Sequence, residues 1–137
     1  MRLRVVAVGK PRLDYARLGV EEYAMRIRKY ASLEVLFVKE AQDLLPKAEG
    51  HRKVVLDERG KLFTTEGLWE ELRRWEGERV AFLVGGAEGY SEGVREGADL
   101  LLSLSPLTLQ HELALLVLME QLYRILTLRA GHPYHRP

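Results

Sequence analysis

The segment RVAFLVGGAEGYSEG, residues 79–93, decides the fold class of this chain. Every residue from Val80 to Val84 is apolar and a glycine pair follows, which predicts a strand over 79–86 that is covered on both faces. A short helix is expected next, from Ser91 to about Ala98. A buried strand that turns directly into a helix is the repeating unit of a parallel α/β sheet.

The rest of the chain repeats this alternation. Apolar, β-branched runs predict further strands, and apolar residues at helical spacing predict further helices. The turn residues DERG should close the third strand, and Thr64 or Thr65 should cap the helix after it. We therefore expect one domain over residues 1–137, an α/β fold with a mainly parallel sheet and helices on both faces. The predicted strands lie at 3–9, 33–38, 53–57, 79–86 and 100–104, and the predicted helices at 13–30, 65–77, 91–98 and 111–129.

The last predicted helix is apolar nearly all the way round, with leucines, isoleucine, valine and methionine on every side between Leu113 and Leu128. A helix of this kind needs cover on all its faces. In a domain of 137 residues, the surplus apolar surface indicates a subunit interface, most simply that of a two-fold homodimer. Burial inside a single protomer is the competing interpretation.

The composition excludes several function classes. The net charge is +1, so the chain is not a generally basic polymer-binding protein. Residues 1–30 nevertheless carry eight Lys or Arg against three acids, which are either a patch for phosphates or ordinary solvated helix faces. No apolar run is long enough to cross a bilayer, so no membrane is expected. With no cysteine and no secretory pattern over residues 1–9, we expect a cytoplasmic protein.

Two segments are candidate ligand sites because each follows a predicted strand. The first is the glycine turn, with Gly85, Gly86 and Gly89; it matches neither a dinucleotide-binding fingerprint nor a P-loop and is either a ligand loop or only a tight turn. The second is the loop LSLSPLTLQHE, residues 102–112. Its free backbone groups are suited to reading the edge of a heterocycle such as adenine, unless it is a plain link with Thr108 as a helix cap.

The tail RAGHPYHRP, residues 129–137, carries unusual chemistry for a chain end. Six positions hold two imidazoles, a phenol, a guanidinium and two prolines. His132 and His135 would offer a metal two imidazoles with no carboxylate or thiolate beside them, so we predict no metal site. A merely structural tail, pinned by Pro133 and Pro137, is the remaining alternative.

Four blocks, VVLDERGK, LVGGAEGYS, LSLSPLTLQHEL and HPYHR, occur in an order and spacing that resemble one family over the whole chain. It is the ribosomal RNA large subunit methyltransferase H family of the SPOUT superfamily, bacterial pseudouridine N3-methyltransferases of 23S ribosomal RNA. The resemblance implies a deep C-terminal trefoil knot, a homodimer and the cofactor S-adenosylmethionine. It places the cofactor against Leu56, Gly85, Leu104, Ser105, Pro106, Leu107, Thr108 and Leu109.

The resemblance also implies a reaction, methylation of N3 of a pseudouridine in 23S ribosomal RNA within the assembled ribosome. Tyr134, His135 and Arg136 are then the expected catalytic residues. We expect His135 or Tyr134 to take the proton and Arg136 to stabilise the imidate oxygens or hold a phosphate, and Glu88 in the glycine turn is a second candidate for the base. We expect the tail to close the active site and to become ordered when RNA arrives. Methylation of another RNA such as tRNA, and a non-catalytic ribosome-binding role, are the alternatives.

Overall fold

The computed structural model describes residues 1–90 and 92–136 of the chain. Within these residues, five strands form one sheet in the order β2–β1–β4–β3–β5, and all neighbouring strands are parallel. The predicted α/β fold with a parallel sheet is therefore confirmed. In chain order the elements are β1 (Arg2–Val8), α1 (Asp14–Ile27), β2 (Ser32–Val38), β3 (Arg52–Leu62), α2 (Thr65–Leu72), β4 (Arg79–Val84), α3 (Glu92–Glu96), β5 (Leu100–Ser103) and α4 (His111–Ala130).

Both faces of the sheet are covered, as predicted. Helices α1, α2 and α4 pack on one face, where Val20, Leu68 and Leu118 join the larger apolar core. Two short 3₁₀ turns between β2 and β3, together with α3, cover the other face through Leu44 and Val94. Strand β4 is buried from Val80 to Val84 because it lies in the centre of the sheet between these two layers.

The third strand is longer than predicted, because DERG does not end it. Strand β3 pairs with β4 up to Val55, and with β5 its register shifts between Leu56 and Lys61. Residues 57–60 bulge out of the ladder before the strand resumes. Gly60 makes this possible, since a Cβ there would lie 2.6 Å from the backbone carbonyl carbon of Leu101.

Most of the apolar surface of α4 is buried inside the protomer. Helix α1 packs along it, and Gly19 of α1 allows close approach, because a Cβ there would lie 2.6 Å from Leu116. Leu113, Val117 and Leu128 stay partly exposed. Burial within one protomer thus accounts for much of the surplus that indicated a subunit interface. The homodimer and the trefoil knot stay predictions.

Helix α2 shows one boundary as predicted and one that differs. Thr64 is its cap, with a side chain that accepts a hydrogen bond from the Gly67 amide at 3.0 Å. The α-helix ends at Leu72, and a single 3₁₀ turn to Trp75 replaces its expected last residues. Ser91, the predicted first residue of the next helix, and Pro137 in the tail lie outside the described residues.

Candidate functional site

A cavity of about 400 Å³ opens where β3, β4 and β5 end. Its walls are the residues that follow Leu56, the glycine turn after Val84, and the loop between β5 and α4. In open parallel sheets this edge is the usual ligand position, because the connections there diverge and expose their backbone. The cavity therefore lies where both candidate segments of the sequence converge.

The structure brings together seven of the eight predicted cofactor residues. Pro106 is exposed in the same loop but is not part of the cavity wall. Glu88, the second candidate for the base, is likewise exposed in the glycine turn and outside the wall. The lining residues among those predicted are Leu56, Gly85, Leu104, Ser105, Leu107, Thr108 and Leu109. Their contact with a cofactor stays a prediction.

The loop from Leu104 to Leu109 is shaped by side-chain hydrogen bonds. The Ser105 hydroxyl accepts from the Leu107 amide at 2.9 Å, and the Thr108 hydroxyl donates to Glu58 at 3.1 Å. In the described part of the chain, the amides of Ser105, Thr108 and Leu109 have no hydrogen-bond partner. These donors remain for a ligand or for water.

Thr108 is not the cap of α4, so the interpretation of this loop as a plain link with that cap is wrong. The Gln110 side chain is the cap instead, accepting hydrogen bonds from the amides of Glu112 and Leu113 at 2.9 and 3.0 Å. Thr108 cannot do this because it lies two residues too early and its hydroxyl is bound to Glu58.

Asp57 and Glu58, which sequence reasoning missed, also line the cavity. The bulge in β3 turns them toward it, and the side chain of Asp57 is only 3% exposed. Burial by itself raises the pKa of Asp57, but the Arg59 amide and the ion pair with Arg95 outweigh it and hold that pKa below its ordinary value. An acidic residue directly after an apolar strand, as in VVLD, was the available signal.

The glycine turn is closed by a tyrosine. The Gly85 amide donates to the Tyr90 hydroxyl at 2.8 Å, and this hydroxyl donates to the Leu83 carbonyl at 3.1 Å. A bridge between Gly86 and Gly89 tightens the turn, and Gly89 has a φ of +75°, which a residue with a side chain rarely adopts. Burial raises the pKa of Tyr90, so the hydroxyl keeps its proton.

The tail begins at the opposite end of α4 from the cavity and then turns back along the helix, where Tyr134 reaches Glu120. His111 and Ala114, at the start of α4, line the cavity, and the tail follows the last residue of this 20-residue helix. A helix of that length spans about 30 Å. None of Tyr134, His135 and Arg136 lines the cavity of the same protomer.

Instead, the tail packs on the helix that precedes it. The Tyr134 hydroxyl donates to Glu120 at 2.7 Å, and the Tyr134 ring lies 4.6 Å from the Tyr123 ring, centroid to centroid. Burial, Tyr23 and Glu120 all raise the pKa of Tyr134. The tail up to Tyr134 thus packs against α4, and its ordering by RNA stays a prediction.

Both ring nitrogens of His135 are engaged. Nδ1 lies 3.1 Å from Arg124 Nη1, and Nε2 lies 3.2 Å from a Glu66 carboxylate oxygen. A guanidinium only donates, so Nδ1 accepts, and Nε2 carries the proton and donates to Glu66. The side chain is 9% exposed, whereas Arg136 is exposed.

Other candidate features are less organised. Several basic side chains of residues 1–30 are paired with acids, for example Arg4 with Glu34 and Arg26 with Glu22, which favours ordinary solvated surfaces there. Among residues 1–90 and 92–136, no three His, Cys, Asp or Glu side chains converge on a metal position. None of the helices in those residues is both long and apolar enough to span a membrane.

Known proteins resemble this chain throughout its length. A family model described as "Predicted SPOUT methyltransferase" matches residues 1–135. A Thermus thermophilus protein named "Ribosomal RNA large subunit methyltransferase H" is 80% identical over 137 residues, which is all of both chains.

Two solved structures share the fold at low sequence identity. A probable methylase family protein from Haemophilus influenzae Rd KW20 has a TM-score of 0.62 at 9% identity, covering 98% of this chain and 70% of that one. The SpoU methyltransferase AviRb from Streptomyces viridochromogenes, solved with its cofactor AdoMet, has a TM-score of 0.56 at 14% identity, covering 96% of this chain and 59% of that one. Likeness at these identities concerns the fold alone.

Proposed function

Because the chain belongs to the SPOUT methyltransferases, within the ribosomal RNA large subunit methyltransferase H family, we propose that it transfers a methyl group from S-adenosylmethionine to N3 of a pseudouridine in 23S ribosomal RNA. The observation that carries this proposal is the cavity formed jointly by the glycine turn and the loop after β5. The named relative that is 80% identical supplies the substrate class, large-subunit ribosomal RNA.

The cavity fits a nucleoside cofactor on its own chemistry. A volume of about 400 Å³ lies within the range of small-molecule sites. The leucines of the loop offer apolar surface to an adenine ring, and the free amides of Ser105, Thr108 and Leu109 offer donors to its edge. The carboxylate of Glu58 is placed to accept hydrogen bonds from an ammonium group or from ribose hydroxyls. When bound, the cofactor supplies an electrophilic methyl group.

The chain's own residues must then remove one proton, because N3 of a pseudouridine carries hydrogen. Tyr134 is a poor base for this step, since its hydroxyl donates to Glu120 and its pKa is raised. Histidine is the side chain that exchanges protons near neutral pH. We therefore assign the N3 proton to His135, once its Nδ1 exchanges Arg124 for the substrate, and we assign Arg136 to the imide oxygens that gain negative charge.

Separation of the tail from the cavity leads to the homodimer as part of the proposal. Since none of Tyr134, His135 and Arg136 lines the cavity of its own protomer, we assign the completion of each cavity to the tail of a partner subunit. A two-fold arrangement of two α4 helices with opposite directions places each tail beside the other protomer's cavity. Leu113, Val117 and Leu128, apolar residues of α4 that stay partly exposed, are candidates for the surface that such a dimer covers.

The reaction is tested by transfer of labelled methyl from S-adenosylmethionine to ribosomes that lack this modification, followed by nucleoside analysis. We expect label in N3-methylpseudouridine of 23S ribosomal RNA. Label in tRNA favours the other RNA substrate. Absence of label on ribosomes, free ribosomal RNA and tRNA, despite saturable cofactor binding, contradicts the proposed reaction and leaves a non-catalytic ribosome-binding role.

The shared site is tested with two inactive variants. Gly85→Val distorts the glycine turn of the cavity, because its Cβ would lie 3.0 Å from the Tyr90 ring. Arg136→Ala removes the tail cation, and we expect each variant to be inactive alone. After the subunits are exchanged at equal amounts, random pairing gives half mixed dimers with one intact site each, so activity returns to roughly a quarter of the unmodified enzyme. No recovery, with mixed dimers demonstrated by mass spectrometry, contradicts a site shared between subunits.

A further inference from the structure

The hydroxyl of Tyr90 binds two backbone groups at the end of β4. It accepts from the Gly85 amide at 2.8 Å and donates to the Leu83 carbonyl at 3.1 Å. The ladder between β3 and β4 has its last pair at Val55 and Leu83. Gly85 lies two residues beyond this pair, so the hydroxyl partners an amide that the neighbouring strand does not reach.

The ring of Tyr90 fixes the same turn by packing. A Cβ on Gly85 would lie 3.0 Å from ring carbons Cε1 and Cζ, tighter than ordinary contact. The Arg95 guanidinium lies 5.9 Å from the ring centroid and is itself held by the buried Asp57. Gly85 thus lacks a side chain for a reason internal to the protein, which is to accommodate the tyrosine ring.

Gly85, Gly86 and Tyr90 all line the cavity. We propose that Tyr90 is a positioning residue, which holds the Gly85–Gly86 turn in the conformation that S-adenosylmethionine binds. The inference rests on the proposed function, since it takes the cofactor as the ligand of this cavity. Tyr90 acts through Gly85 and not by chemistry of its own.

Loss of the hydroxyl should weaken binding more than folding. In a variant that lacks this hydroxyl, and with no cofactor bound, water in the open cavity takes its place at the Gly85 amide. The turn then exchanges among several conformations, and binding has to select the competent one, which weakens the apparent affinity by the population that is lost. A role in folding alone makes the opposite prediction, a lower melting temperature with unchanged affinity.

The test is Tyr90→Phe, compared with Tyr15→Phe, which makes the same chemical change on the outer surface of α1 at a half-exposed residue. Calorimetric titration with S-adenosylmethionine should show about a tenfold higher Kd for Tyr90→Phe, equivalent to ~1.4 kcal/mol. The melting temperature of the free variant should stay within about 3 °C of the unmodified protein. Steady-state kinetics should show a higher KM for the cofactor with little change in kcat, and Tyr15→Phe should match the unmodified protein throughout.

A measurement without cofactor tests the contact itself. The Gly85 amide should exchange with solvent about ten times faster in Tyr90→Phe, because it loses its protein acceptor, whereas the Leu83 amide inside the strand should not change. An equal Kd for the variant and the unmodified protein, or an unchanged Gly85 exchange rate, overturns the inference. If the unmodified protein does not bind S-adenosylmethionine, the proposed function fails, and the cofactor role of Tyr90 fails with it. If the unmodified protein binds and Tyr90→Phe binds equally well, only the inference about Tyr90 fails.

Discussion

Glu112 belongs to α4, but its carboxylate caps a different helix. One carboxylate oxygen accepts hydrogen bonds from the backbone amides of Arg12 and Leu13, both at 2.9 Å. Leu13 occupies the N-cap position of α1 and has no polar side chain to cap it. The start of α1 is therefore satisfied by a residue about a hundred positions away, and this contact ties the β1–α1 connection to the helix that begins beside the cavity.

The magnitude follows from the two effects that Glu112 combines. Loss of an N-cap side chain costs about 1 kcal/mol, and loss of a negative charge at a helix N-terminus costs about 0.3–1 kcal/mol. Glu112→Ala should therefore lower the free energy of unfolding by about 1.5 kcal/mol. Glu112→Gln keeps an oxygen acceptor and loses the charge, so its cost should be only about 0.5 kcal/mol.

Urea unfolding followed by circular dichroism, at one fixed protein concentration, measures these differences. Glu96→Ala is the matched control, because Glu96 is an exposed glutamate at the end of α3. The three variants should rank in stability as Glu96→Ala, then Glu112→Gln, then Glu112→Ala, with the same dependence on urea. Equal midpoints for Glu96→Ala and Glu112→Ala would refute the assignment of Glu112 as the cap of α1.

Two further predictions concern the strand that forms one wall of the cavity. The pKa of Asp57 is lower in the folded protein than in the unfolded chain, so its contribution to stability is present above about pH 4 and is lost as the pH falls through the folded value. The stability difference between the unmodified protein and Asp57→Asn, measured by urea unfolding, should therefore be smaller at pH 3 than at pH 7, and an equal difference would contradict the ion pair. Gly60→Ala should cost about 2 kcal/mol or more because its Cβ meets the Leu101 backbone, whereas Gly77→Ala, whose Cβ meets nothing within 4 Å, should fold normally; equal melting temperatures would contradict the close approach.

The strands could be predicted because each is a continuous apolar run, and burial on both faces requires such runs. The bulge in β3 could not. DERG has the composition of a turn, and nothing in the local sequence shows that the chain pairs with β5 again from Lys61. Gly60 is a local sign of this second pairing, because the chain needs a residue without a side chain there. The need comes from the Leu101 backbone of β5, about forty residues later, and so cannot be read from the neighbouring sequence. Asp57 and Glu58 were missed as cavity residues for the same cause.

The capping residue of a helix could be predicted where only local hydrogen bonds decide it, and the prediction was wrong where a distant residue takes part. Thr64 caps α2 through an amide three residues on, as the sequence pattern predicts. Thr108 has the same chemistry before α4, but Glu58 of another strand engages its hydroxyl, and Gln110 caps the helix instead. A preference for one residue type at a helix start is a weak local signal, and one long-range hydrogen bond is enough to overcome it.

The tail shows why chemical capability read from sequence does not fix a site. His135 and Arg136 have the groups that the proposed reaction needs, and their identity needs no structure to recognise. Their position depends on how the tail packs back on α4, where Tyr134 contacts Glu120 and His135 contacts Arg124, outside the cavity wall. Because neither His135 nor Arg136 lines the cavity of its own protomer, the proposed mechanism takes both from a second chain. Oligomeric state is thus part of the proposed chemistry. Failure of Gly85→Val and Arg136→Ala to complement each other would remove the partner's tail from the mechanism even if the cofactor binds as proposed.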